Sequence, residues 1–358
     1  MTNPLHQLQQ LGQSVWLDSI QRSYLAPGGY LRRLLDAGEI DGLTSNPSIF
    51  EKAIGSDDTY DEQLAELKGS DPRDALWALM KCDIAGACDL FLPLYRESPG
   101  TKGYVSIELD PGSAFDTDLS VGQGLELFRE IDRPNLMVKV PGTEPGLAAV
   151  PTLLAEGVNV NITLLFSVAR YEAVVEAYLE GLRRRADAGG DLATLASVAS
   201  FFVSRVDSKV DATLGDDSPR LATAAVANAR AAYESFERIF GGPNFAELAA
   251  AGAKVQRPLW ASTSVKNDAY RDVLYVEELA GPDTVNTMPE KTLDAVRDHA
   301  VIEDRLSGSG GEAKHQLQRL AEEGVDLDQV TKELETEGVD KFVEAFEAAV
   351  ANVAEHVC

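Results

Sequence analysis

Short apolar runs closed by polar residues alternate along this chain with longer stretches whose apolar positions recur every three or four residues, the pattern of strands alternating with helices. Ser14–Ser19 (SVWLDS) and Gly42–Asn46 read as the first two strands, and Tyr104–Leu109, Leu136–Val140, Val158–Leu165, Ser197–Val203, Pro258–Thr263 and Thr284–Met288 as six more. Helical spacing predicts helices over Gln7–Gln13, Tyr30–Ala37, Pro72–Arg96, Gly122–Ile131, Gly146–Glu156, Val168–Ala186 and Leu221–Phe240, with a polar, mostly helical excursion over Ile49–Lys68. After the eighth strand the pattern predicts a helix over Pro289–Leu306, a flexible linker Ser307–Gly311 (SGSGG), and acidic amphipathic helices over Ala313–Glu323 and Leu327–His356. The linker has neither the preceding strand nor the GK[ST] ending of a phosphate-binding loop. Eight strands separated by helices make an α/β fold, a (β/α)8 TIM barrel, whose chemistry sits where the strands end. One domain over residues 1–358 is expected, with residues 308–358 a helical C-terminal extension packed on it.

The strand ends carry the candidate chemistry. In NLMVKVPGTEPG a lysine, Lys139, interrupts an apolar strand just before a Pro-Gly turn. Its ammonium could snorkel to solvent, or it could be a partly desolvated amine that adds to a carbonyl. The other strand ends present Asp18, Asn46, Glu108, Asn161 with Thr163, Ser200 with Arg205, and Ser264 with Lys266. Singly, Asp18 and Asn46 read equally as turn formers or helix caps, Glu108 as a rim charge, and Arg205 and Lys266 as surface cations. Together they place one amine, two carboxylates, several hydroxyl and amide groups and two cations around one mouth. A lysine there can form an iminium with a ketone, an electron sink for breaking a neighbouring C–C bond. Asp18 and Glu108 would move the protons, and Arg205 and Lys266 would hold a phosphate away from the reacting carbons.

Composition narrows the classes. With 358 residues, 44% of them hydrophobic, the chain can bury a large core. Its 58 acidic against 32 basic residues give a net charge of −26, which argues against nucleic-acid and anionic-membrane partners and leaves small molecules as the expected ones. An anionic substrate then needs a local basic pocket. Cys82, Cys88 and Cys358 lack metal-type spacing and fit a reduced, cytoplasmic setting, and the N-terminal stretch MTNPLHQLQQLGQ has no signal-peptide core. His6, His299, His315 and His356 all fall outside the strands, so a metal-dependent reaction is disfavoured and no cofactor is expected. Either a monomer or a homodimer is compatible with the sequence.

The motifs DGLTSNPSIF (Asp41–Phe50), VKVPGT (Val138–Thr143), NVNITLLFS (Asn159–Ser167), FFVSRVD (Phe201–Asp207) and LWASTSVKN (Leu259–Asn267) closely resemble those of transaldolases, in family order. The resemblance spans roughly residues 14–290 and does not draw on the tail after about Gly308. It implies that Lys139 forms a Schiff base with a ketose phosphate and keeps a dihydroxyacetone unit after cleavage. By the same resemblance, Asn46, Asn161 and Ser200 hold the dihydroxyacetone oxygens and Asp18 takes the C4 hydroxyl proton. Glu108 with Thr163 holds a proton-shuttling water, and Arg205 and Lys266, assisted by Ser264, bind the phosphate. The implied reaction belongs to the non-oxidative pentose phosphate pathway. Sedoheptulose 7-phosphate and glyceraldehyde 3-phosphate exchange with erythrose 4-phosphate and fructose 6-phosphate, without a cofactor. Lys266 stands where the family is understood to place an arginine, which removes bidentate phosphate recognition at that point. A fructose 6-phosphate aldolase is the nearest alternative, and Glu108 weighs against it because that group carries a tyrosine there. A non-catalytic phosphosugar-binding barrel is the alternative from another class.

Overall fold

Eight parallel strands close on themselves in chain order: β1 (Gln13–Asp18), β2 (Gly42–Thr44), β3 (Tyr104–Glu108), β4 (Leu136–Pro141), β5 (Val160–Leu165), β6 (Ser197–Phe202), β7 (Arg257–Ala261) and β8 (Thr284–Met288). β1 pairs with both β2 and β8, which completes the barrel. The computed structural model describes residues 3–98, 100–215 and 218–358; Met1 and Thr2, the start of the N-terminal stretch read above, lie outside them. Every strand residue is buried except Asp18, which is half-buried at the end of β1. Burial on both faces is why the strands read as continuous apolar runs, since helices cover the outside of a parallel barrel and side chains fill its interior.

Along β1, Ser14, Trp16 and Asp18 share a face by the period of two. Ser14 accepts a hydrogen bond from the buried Arg257 guanidinium at 2.7 Å, and Trp16 is fully buried. Asp18 is the last residue of the strand and reaches the cavity described below. Gly42 of β2 pairs with Trp16, and a Cβ there would fall 2.6 Å from the indole, so only glycine lets β2 pass this ring. Polar side chains of β1, β2, β4, β5, β6 and β8 reach the same cavity.

Several elements differ from expectation for local reasons. The leading helix is Pro4–Gln10, started by Asn3, whose side chain accepts from the Leu5 N–H. β2 stops at Thr44 because Asn46 becomes the N-cap of the helix Pro47–Ile54, accepting from the Ile49 N–H at 3.2 Å. The polar excursion is this helix, a 3-10 turn and a short helix Asp61–Glu66. β7 ends at Ala261 because Ser262 takes a left-handed conformation (φ 55°). The helix expected over Pro289–Leu306 spans only Glu290–His299: the Val301 and Arg305 N–H groups bond instead to the Glu277 carboxylate and the Ala280 carbonyl. Four α-helices among the described residues were not anticipated: Arg22–Leu25, Ser204–Leu214, Pro243–Ala250 and Leu274–Glu278.

The SGSGG segment is not a free linker. A helix begins inside it, at Gly310, and a Cβ at that position would lie 2.5 Å from Glu234, so the glycine lets this helix dock closely on Ala224–Phe240. The C-terminal helix, Leu327–Val357, packs against Pro47–Ile54, Pro72–Glu97 and Ser204–Leu214 and touches β5. Among the described residues no helix is long and apolar enough to cross a membrane. Cys82 and Cys88 lie in the helix Pro72–Glu97, and all three cysteines are free.

Candidate active site

Parallel register places Glu108, Lys139 and Asn161 side by side on β3, β4 and β5. Lys139, 5% exposed, does not snorkel: its Nζ lies 2.6 Å from Glu108 Oε2 and donates to the Ser45 carbonyl at 2.9 Å. Glu108 is 1% exposed, and its Oε1 has no hydrogen-bond partner among the described residues. Burial pushes the Glu108 carboxyl above the ordinary glutamate range; Lys139 opposes this by charge and hydrogen bonding, and the Asp18 charge adds to the rise. Thr163 Oγ1 is a second buried polar atom of the site without a partner among the described residues. Because buried polar groups are almost always hydrogen-bonded, these two oxygens mark where a water or substrate group is wanted.

Beside the lysine, Ser200 Oγ donates to Asn161 Oδ1 at 2.6 Å, and Asn161 Nδ2 donates to Ser106 Oγ at 3.1 Å. This chain fixes the Asn161 amide across three strands. Asp18 accepts from Thr44 Oγ1 at 2.7 Å, and Thr44 is in turn 2.6 Å from Thr287 Oγ1 on β8. The Asp18 side chain lines the cavity. Its burial by surrounding protein raises its pKa above the ordinary value, partly offset by the Thr44 hydrogen bond and by the charges of Lys139 and Lys266.

Asp18, Asn46, Lys139, Thr163, Ser200, Arg205, Ser264 and Lys266 line one cavity of about 200 Å³ at the barrel mouth. Of the ten residues expected from the sequence, only Glu108 and Asn161 do not line it. Glu108 contacts Lys139 and Asn161 contacts Ser200, so each is one contact away from the cavity lining. Asn46 is both the helix cap and a lining residue, so its two readings are compatible rather than exclusive.

The cations stand on the β6 and β7 side of the mouth. Arg205 is the second residue of the helix Ser204–Leu214, its guanidinium carbon 5.5 Å from the Phe202 ring, and its buried Nη1 has no hydrogen-bond partner among the described residues. Burial lowers its pKa. Lys266 Nζ lies 2.8 Å from Ser264 Oγ and donates to it. Desolvation by the cavity walls lowers the Lys266 pKa, the Arg205 and Lys52 charges lower it further, and Asp18 opposes them. The residue as a whole is solvent-exposed, so solvent screens part of this repulsion. Neither cation is in an ion pair among the described residues. In a chain of charge −26, two neighbouring cations outside any ion pair among the described residues make a local patch of positive charge at the mouth. The Lys266 loop is held from behind: Tyr270 OH donates to Asp211 at 2.8 Å, and Tyr275 OH donates to Asp207 at 2.9 Å. The Asp207 carboxyl is pushed up to about 7 by its burial.

The sequence reading missed Thr44, Thr287, Phe202 and Phe342 as lining residues. For Thr287 a signal existed, since it is the last residue but one of a predicted strand, whereas Thr44 sits in the middle of the predicted Gly42–Asn46 and closes only the shorter β2 that forms. Phe342 had none: it lies far along the C-terminal helix, and its ring centroid is 5.9 Å from Lys139 Nζ. The tail that the motif resemblance did not draw on therefore supplies part of the cavity wall.

Residues 15–353 match the family model described as transaldolase/fructose-6-phosphate aldolase, a span that takes in nearly all of that tail. The chain is 49% identical to a transaldolase of Mycolicibacterium paratuberculosis, over 96% of this chain and 95% of that protein. It is 47% identical to a transaldolase of Mycolicibacterium smegmatis, with the same coverage. With a transaldolase of a Parafrankia species it shares 46% identity over 100% of this chain and 99% of the relative. A closed eight-stranded barrel with a carboxylate-paired lysine at its mouth, a family match from β1 to the C-terminal helix and identities near one half over whole lengths lead to one conclusion: the chain belongs to the transaldolase/fructose-6-phosphate aldolase family.

Proposed function

We propose that this enzyme is a transaldolase, moving a dihydroxyacetone unit from a ketose phosphate, sedoheptulose 7-phosphate or fructose 6-phosphate, to an aldose phosphate acceptor, glyceraldehyde 3-phosphate or erythrose 4-phosphate. The observation that carries the reading is Lys139, paired with the buried Glu108 behind it, sharing a cavity with Asp18 and with the cations Arg205 and Lys266. Whole-length similarity to proteins named transaldolase supports the same assignment.

Lys139 gives up a proton to Glu108 and adds through Nζ to the ketose C2 carbonyl, forming a carbinolamine. Loss of water, its oxygen protonated through Glu108 and a water held by Glu108 and Thr163, leaves the iminium. Asp18 takes the C4 hydroxyl proton; the C3–C4 bond breaks, its electrons move into the iminium, and an enamine remains on Lys139 while the aldose phosphate departs. The raised pKa of Asp18 suits it to accept this proton and return it to the acceptor's new hydroxyl in the reverse addition. Asn46, Asn161 and Ser200 hold the oxygens of the retained fragment. Arg205 and Lys266, with Ser264, hold the phosphate. No step calls for a cofactor. We take residues 1–358 to act as one unit, because the extension over residues 308–358 reaches the cavity through Phe342.

Borohydride reduction in the presence of fructose 6-phosphate tests the reading. The expected result is a mass increase of one dihydroxyacetone unit located on Lys139; no adduct means no Schiff base. Release of free dihydroxyacetone at full rate without erythrose 4-phosphate would instead assign the aldolase activity found in the same family.

A further inference from the structure

The C-terminal helix, Leu327–Val357, lies outside the barrel yet sends one aromatic side chain into its mouth. Phe342 is 5% exposed, lines the cavity, and sets its ring 5.9 Å from the nitrogen that becomes the Schiff base. The placement is secured on both sides. One turn further on, Phe346 packs on Trp77 at 5.6 Å between ring centroids and lies under the Arg73 guanidinium, while Arg73 also pairs with Glu347. On the other side Lys209 pairs with Glu333 and Glu337, at 2.6 and 2.5 Å. One turn before Phe342, Gly338 lets the helix approach the end of β5: a Cβ there would lie 3.0 Å from Leu164. Leu164 itself is held at φ 61° where the β5 register shifts.

We propose that Phe342 is a specificity-determining residue that makes the Lys139 intermediate transfer its three-carbon unit rather than release it. This rests on the Schiff-base reading above. Once the donor's aldose phosphate has left, the enamine on Lys139 has two fates. Addition to an acceptor aldehyde forms the new C–C bond. Release begins with protonation of the enamine carbon, which regenerates the iminium. Water then adds its oxygen to C2, the C–N bond breaks, the two water protons end on the amine and the solvent base, and free dihydroxyacetone leaves. Transfer also ends in hydrolysis of an iminium, so the two fates divide at the enamine: release needs a solvent proton on the enamine carbon, and an aromatic ring 5.9 Å from the nitrogen removes room for the water that would deliver it while the acceptor aldehyde enters from the open mouth. The ring is supplied from outside the barrel, so its position depends on how closely the helix is seated.

The test uses the full chain carrying Phe342→Ala, Phe342→Leu or Gly338→Leu. Free dihydroxyacetone formed from fructose 6-phosphate alone is compared with transfer to erythrose 4-phosphate, and borohydride trapping on Lys139 is followed in each. The expected result is a release-to-transfer ratio raised about tenfold in Phe342→Ala, with a smaller rise in Phe342→Leu, which keeps part of the volume, and trapping retained in all. Gly338→Leu should raise the ratio with Phe342 intact, by lifting the helix. An unchanged ratio in Phe342→Ala with trapping intact overturns the proposal; should that variant fail to fold, an unchanged ratio in Phe342→Leu does the same. Absence of trapping in the unmodified protein would overturn the Schiff-base reading itself, which separates the two failures.

Discussion

Removing the lysine amine should cost more than catalysis, and the cost should depend on pH in a way fixed by Glu108. Lys139→Met fills much of the lysine's volume but leaves a carboxylate, 1% exposed, whose 2.6 Å contact with an ammonium has gone. Deleting one member of a buried ion pair costs on the order of 3–5 kcal/mol, because the survivor is left uncompensated. For a chain of 358 residues this corresponds to a fall in Tm of about 4–7 °C, using the usual unfolding entropy per residue. The sign follows from proton linkage. The Glu108 carboxyl is already raised above its ordinary value of 4.5 by burial, and loss of Lys139 raises it further. Between the unfolded and folded pKa values the folded protein holds a proton that the unfolded chain has lost, so stability falls as pH rises through that window and the full penalty applies above it. Chemical denaturation of Lys139→Met across pH should therefore show a deficit that is largest on the alkaline side and shrinks as the pH is lowered toward the ordinary glutamate value. The double variant Lys139→Met/Glu108→Gln should recover most of the loss at neutral pH. A deficit independent of pH, or a double variant no more stable than the single one, would refute the account of this pair; borohydride trapping should be absent in both.

Two further outcomes concern the protons and the phosphate. Asp18→Asn should lower kcat by about 10²–10⁴-fold while leaving trapping on Lys139 intact, and should remove the fall in activity that the parent shows as pH drops through the raised pKa of Asp18; loss of trapping would contradict its role in cleavage. Because the Lys266 pKa is lowered, KM for fructose 6-phosphate should climb on the alkaline side as its charge is lost, and Lys266→Arg should move that climb to higher pH. Lys266→Met should raise KM about tenfold to a hundredfold with little change in kcat, the worth of one charge-assisted contact; an unaltered KM would remove Lys266 from the phosphate site.

Wherever the information is local, the sequence determined the outcome. The eight strands follow from short apolar runs, because a parallel barrel buries both faces of each strand, and the turns after Thr44 and Pro141 follow from Pro and Gly chemistry. Lys139 stood out because a lysine inside such a run requires a reason, and the repeated polar strand ends supplied one. Tertiary structure decided what depends on neighbours distant in the chain. Strand register set Glu108 against Lys139 and so chose an ion pair over a snorkelling side chain. Close approach at Gly310 turned an apparent linker into the start of a docked helix, and hydrogen bonds to Glu277 and Ala280 ended the preceding helix early. Phe342 is the clearest case. Along the sequence it is one more apolar position of an amphipathic helix, and only the seating of that helix across the barrel mouth brings its ring to the reactive nitrogen. Periodicity reports that a side chain is buried, whereas the identity of what it is buried against depends on packing between elements that the chain separates by some two hundred residues.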